Sequence, residues 1–293
     1  MNSRISLGLL VCALLLTGCV GLNTNKLPSY IGFRPVIGHD TRATVESVPF
    51  SEDRSFKVWA QESRMGSLYL DNETISYNGG WLASKTWQDD ELRFEACWPT
   101  DLPVEFSKSN GLQIKNFDCS GGDVDILMAQ AQSDNEIDTL ITLRFDHILS
   151  RVEFRMLHSL SDNMAVRLKK VELKGIASKG DFNTRHSGQW SLGDPNFTYV
   201  VYDAGEGDGV TIPAGKAQYI GEDFYVIPQV SMAQLDVSYE VRYEGANWIP
   251  QTETIKSLDT QWEPSKHYTH TLNLRMDKLV QTTGISSWNN REE

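Results

Sequence analysis

Four cysteines in 293 residues leave no room for a disulfide framework. Cys12 and Cys19 sit at the N-terminal end, so only Cys97 and Cys119, 22 positions apart, serve the body of the chain. A bridge between them is permitted in an oxidising compartment and is worth about 3 kcal/mol where the geometry allows; two buried, unpaired strand cysteines are the alternative. Beyond the first 18 residues, no apolar run approaches the ~20 residues of a membrane-spanning helix. There is no basic block either: 27 Lys and Arg face 39 Asp and Glu, for a net charge of -12. An acidic body without a basic patch argues against nucleic acid and against adhesion to anionic lipid head groups.

The signatures of catalysis are also missing. The chain has no G-x-S-x-G elbow, no H-E-x-x-H, no C-x-x-C and no P-loop. Its six histidines are scattered. His267 and His270 are three apart, which on a strand puts them on opposite faces and prevents joint metal ligation. His147 and His158 flank one strand and read as a turn residue and a surface residue. The glycine-rich stretch 205–209 carries Glu206 and Asp208, whose charge repels phosphate, and it reads as a solvated hairpin tip. No catalytic residue, metal or cofactor is expected.

What the chain does have begins with a leader. Arg4 precedes an apolar run, 5–16, too short to span a bilayer and closed by small residues, so residues 1–18 read as a cleaved export signal. Its end, Leu16-Thr17-Gly18-Cys19, resembles the lipobox of bacterial lipoproteins, which implies that Cys19 becomes the lipidated first residue. The mature chain is then tethered to a membrane by acyl chains.

Period-two alternation rich in Val, Ile, Thr and aromatics recurs from residue 30 onward, broken every eight to twelve positions by Gly, Asn, Asp or Pro. This is the pattern of an all-β sandwich. Candidate strands span 30–37, 56–61, 74–77, 81–86, 92–98, 112–117, 124–131, 140–145, 149–157, 166–174, 198–202, 217–220, 224–227, 235–243, 252–258, 268–276 and 279–286. So many strands fit poorly into one sheet pair, and the polar, acidic stretch 132–138 is the best junction. Two domains, 19–135 and 136–293, are expected. The eight tryptophans suit sandwich cores, and an exposed subset would suit stacking on glycans.

The first strand is the most telling. Ile31, Phe33 and Ile37 share one face, and Pro35 removes a ladder donor, which suggests a sheet edge. The polar segment His39-Asp40-Thr41-Arg42-Ala43-Thr44 follows, offering a basic cleavage point behind the strand. Removing such a strand leaves an apolar groove with unpaired backbone, which another strand must fill.

Six runs, in order, resemble the fimbrillin (Mfa-like) family of lipoprotein pilins that build type V fimbriae. They are Leu92-Arg93-Phe94-Glu95-Ala96-Cys97-Trp98-Pro99, Asp125-Ile126-Leu127-Met128-Ala129-Gln130, Phe145-Asp146-His147-Ile148-Leu149-Ser150-Arg151-Val152-Glu153-Phe154, Tyr225-Val226-Ile227-Pro228-Gln229, Leu235-Asp236-Val237-Ser238-Tyr239 and Trp262-Glu263-Pro264-Ser265-Lys266-His267-Tyr268-Thr269. Ser265 stands where the family pattern leads one to expect Gly, and His270 where Tyr is commoner. The resemblance implies two tandem transthyretin-like Greek-key β-sandwich domains. It also implies export as an outer-membrane lipoprotein, cleavage by a trypsin-like protease after the Arg that follows the first strand, and assembly by donor-strand exchange into a fimbrium at the cell surface. Here that Arg is Arg42, since Arg34 lies within the strand and precedes Pro35. The implied partners are other pilin subunits, the processing protease, the outer membrane through the lipid anchor, and a host or glycan ligand. The strands through 279–288 would supply or position the donor. The alternative is a surface lipoprotein that binds a glycan or host ligand, never polymerises, and keeps its first strand.

Overall fold

The computed structural model describes residues 29–40, 45–64, 66–87, 91–133, 140–185, 189–258 and 260–288. Among these residues the chain forms twenty-three β-strands and no helix, as the period-two pattern requires.

The largest sheet has eight strands: β1 (Tyr30–Asp40), β2 (Val45–Pro49), β3 (Ser55–Glu62), β4 (Leu68–Ser76), β5 (Trp81–Thr86), β6 (Leu92–Trp98), β9 (Leu127–Ser133) and β10 (Leu140–His147). Their order is β2-β1-β10-β9-β6-β3-β4, with β5 also paired to β1. Because β4 turns into β5 and β5 returns to β1, the sheet folds over a core of its own. Ile31, Phe33, Phe56, Leu70, Trp81, Phe94, Leu127 and Phe145, from seven of its strands, meet there. The junction expected after residue 135 falls inside this sheet. Ile141, Leu143 and Phe145 alternate inward and are buried in that core, so β10 pairs with β9 and β1 and the sheet runs on to His147.

The remaining strands build a second, larger core. One of its sheets joins β17 (Gln218–Val226), β11 (Ser150–His158), β22 (Lys266–Leu274) and β23 (Leu279–Ser287), in that order. A second is β15 (Phe197–Asp203), β12 (Met164–Ile176), β19 (Gln234–Tyr243) and β20 (Ile249–Ile255), with β16 (Val210–Ile212) also on β12. A third joins early and late segments, β7 (Val104–Ser107) and β8 (Gly111–Asp118) with β13 (Lys179–Asn183) and β14 (Trp190–Leu192). The short pair β18 (Val230–Ser231) and β21 (Thr260–Gln261) completes the set.

Trp59, Cys97 and Met128 lie on the first sheet yet belong to the second core, so the two halves share a packed boundary. A buried carboxylate crosses it: Glu95 on β6 accepts hydrogen bonds from the Leu112 N–H (2.8 Å) and the Thr184 hydroxyl (2.6 Å), and Arg185 lies 3.4 Å away. Buried charge is stable only with such partners.

Candidate functional site

The alternation of the first strand has the consequence read from it. Ile31, Phe33 and Ile37 are 0%, 2% and 3% exposed, so all three fill the first core. The Phe33 ring stands edge-on to Phe56 (5.9 Å between centroids) and to Phe94 (5.7 Å). At about 1.5–3 kcal/mol for each buried side chain, the three contribute about 5–9 kcal/mol, comparable with the whole stability of a domain.

Backbone pairing goes further than the sequence suggested. Rather than lying at an edge, β1 sits between two walls. On one side it runs parallel to β10, from Gly32 opposite Leu140 to Ile37 opposite Phe145. On the other it is antiparallel first to β5, with Phe33 opposite Trp81, and then to β2, with Val36 opposite Pro49. Pro35 falls at the changeover between β5 and β2. Its carbonyl accepts the Phe50 N–H at 3.2 Å, so its ring nitrogen faces the same side, where neither strand needs a donor. This explains how proline is tolerated inside a sheet.

The end of the strand is fitted to its neighbour. A Cβ on Gly38 would overlap Asp146 Oδ1 and Arg144 Nε, which pair with each other at 3.2 Å on β10. A side chain there would have to push these two partly exposed groups aside. Phe56, Trp81, Phe94 and Phe145, which line the groove, were legible as inward positions of their strands, but not as partners of β1. Arg42 and Cys19 lie outside the described residues.

Cys97 and Cys119 are not bridged. Both are buried free thiols, and Cys119 Sγ lies 3.2 Å from the Ser178 carbonyl and 3.1 Å from the Tyr199 hydroxyl. Burial pushes the Cys97 thiol up to about 12 and raises that of Cys119.

The histidines differ from their reading. His147 is 1% exposed, stacked on Trp288 at 3.9 Å and paired through Nδ1 with Asp125 at 2.9 Å. His158 is also buried, at 4%. Sequence period marks the face of a strand but not what covers its ends. His267 and His270 do take opposite faces: His267 meets Glu153 at 3.2 Å, while His270 is fully buried beside Phe154. Asp203 and Asp208, at either end of the glycine-rich tip, pair with Lys170 (3.3 Å) and Arg167 (2.8 Å). None of the eight tryptophans is exposed; Trp98 and Trp248 are half-buried, with arginine side chains over their rings.

At the other end of the chain, β23 is an edge strand among the described residues, paired there with β22 from Lys266 opposite Ser287 to Leu274 opposite Leu279. Two of its side chains serve a neighbour: Gln281 Nε2 and Thr283 Oγ1 lie 3.0 and 3.1 Å from Nδ1 of His270. Trp288 seals the end, buried against His147 and Tyr225.

A family model described as fimbrillin-like matches residues 41–288. The chain belongs to the fimbrillin-like family. The match begins after β1 and runs to the buried Trp288, so it takes in the second core and the first core apart from the side chains of β1. A fimbrial protein from Bacteroides vulgatus ATCC 8482 has the same fold, with a TM-score of 0.65 at 13% identity over 89% of this chain and 99% of that one. A candidate cell adhesion protein from Parabacteroides distasonis ATCC 8503 aligns with a TM-score of 0.59 at 10% identity, covering 91% and 98%. Another, from Bacteroides uniformis ATCC 8492, gives 0.55 at 13%, covering 89% and 99%. No curated protein matches the sequence.

Proposed function

We propose that this chain is a fimbrial subunit or accessory protein of the cell surface, serving adhesion rather than catalysis. In this reading it is exported as an outer-membrane lipoprotein through Cys19. It is then cut after Arg42 by a trypsin-like protease and assembled by exchange of its first strand. The two domains are those of the family, with the first strand completing the first of them. Membership of the fimbrillin-like family supports the surface role. The observation that carries the mechanism is the position of β1: a single strand that fills a core with three side chains, hydrogen-bonds on both sides, and is followed by a short link containing the only basic residue between β1 and β2.

The physics of the cut is simple. While the link is intact, the strand competes for its groove at an effective concentration on the order of millimolar. Once it is severed, the strand is an ordinary ligand that can be replaced. What replaces it must also supply backbone bonds to two walls, so an extended strand is the fitting occupant.

Substituting Arg42→Ala tests the reading in cells. The variant is expected to accumulate as a full-length, lipid-anchored monomer, whereas normal incorporation of the variant into surface polymers would overturn it.

A further inference from the structure

We infer that the groove of β1 is built for the strand of a different protein, and that this chain does not polymerise with copies of itself through its C-terminal strand. The inference rests on the strand-exchange reading above and concerns who the partner is.

The native occupant defines the groove's requirements. Counting along β1, the inward slots are held by Ile31, Phe33, Pro35 and Ile37, all buried, and Gly38 passes under the Arg144–Asp146 pair. The second slot takes an aromatic ring that stands edge-on to Phe56 and Phe94 within the apolar first core. An occupant therefore needs large apolar groups at alternate positions and an aromatic in the second, and a small residue after the fourth leaves the ion pair in place.

The C-terminal strand lacks this pattern in every register. Its two faces read Leu279, Gln281, Thr283, Ile285, Ser287 and Val280, Thr282, Gly284, Ser286, Trp288. The best placement sets Leu279 and Ile285 in the first and fourth slots. It also drives Gln281 into the aromatic slot, Thr283 into the proline slot and Ser286 under the ion pair. An unpaired amide between phenyl rings is strongly disfavoured.

A second observation explains why β23 is polar: it is shaped for where it lies. Gln281 and Thr283 hydrogen-bond Nδ1 of His270, which is 0% exposed, and Trp288 is 2% exposed against His147 and Tyr225. Withdrawing β23 would leave that buried nitrogen without these partners and uncover the indole. The strand is specified by its home sheet at the positions where the groove would demand otherwise.

The test uses the whole mature chain with Cys19→Ser for solubility and a sequence-specific protease site placed across residues 41–44. After cutting, the protein is incubated with two fluorescent peptides, residues 30–40 and residues 278–288, while its size is followed by chromatography across a concentration series. The expected result is uptake of the 30–40 peptide, uptake of the 278–288 peptide weaker on the order of 100-fold, and single-subunit size throughout. A 278–288 peptide carrying Gln281→Phe and Ser286→Gly should recover part of the difference. Multimers of the cut chain alone, or equal uptake of the two peptides, would overturn the inference while leaving strand exchange standing. Failure to take up either peptide would overturn strand exchange itself, and the inference with it.

Discussion

The ring of Phe33, near the start of the chain's first strand, meets the ring of Phe94 on β6 edge to face, with centroids 5.7 Å apart and planes at 82°. Sixty positions of sequence separate them, and the contact makes an N-terminal strand a structural member of the first core. Phe33→Ala removes that ring and its contact with Phe56. Unfolding of the uncut chain, followed in urea, should show a loss of about 3–5 kcal/mol. In the cut chain the same change should speed loss of the strand. An unaltered midpoint would mean that β1 does not support the core.

Acid should weaken the second half of the molecule through His270. Burial lowers its pKa to about 4, against about 6.5 in the unfolded chain. Between those values the unfolded state binds the extra proton, so stability falls as pH drops from about 6.5 to 4 and His270 adds no further loss below that. The difference in unfolding free energy between pH 7 and pH 4.5 should shrink by about 2 kcal/mol in His270→Gln, which does not titrate. An identical pH dependence in the two proteins would contradict the buried, neutral imidazole.

Thiol chemistry separates the free pair from a bridge. In the Cys19→Ser mature chain, a thiol reagent at pH 8 should find no reactive group in the folded protein, because Cys97 and Cys119 are buried and burial holds both protonated. Unfolding without reductant should release both. Recovery of neither thiol until reductant is added would show a disulfide.

Much of the fold was legible in the sequence, because strand faces follow directly from alternation. The spans 81–86 and 92–98 coincide with β5 and β6, and 140–145 lies within β10. The pattern failed where the backbone departs from it. β17 read as two strands because Gly221, at φ +68 and packed where a Cβ would overlap the Val201 carbonyl, introduces a bulge and shifts the period. β4 read as its last few residues only, since Asn72 has φ +54 and the register slips nearby. Ser265, noted as a departure from glycine, does adopt a left-handed φ of 59°. Its hydroxyl donates to the His147 carbonyl at 2.7 Å, a bond glycine lacks. What alternation could not reveal is pairing. The parallel alignment of β1 with β10, more than a hundred residues away, leaves no local mark, and so the first strand read as an edge and residues 136–147 read as belonging to the second domain.

In the proposed assembly β1 is a plug that is removed. The N-terminus of the protein recovered from surface polymers, determined by mass spectrometry of its first peptide, tests this most directly. A start at Ala43, with the segment from Cys19 to Arg42 absent, is the predicted result. A lipidated start at Cys19 with residues 30–40 retained in the assembled form would contradict it.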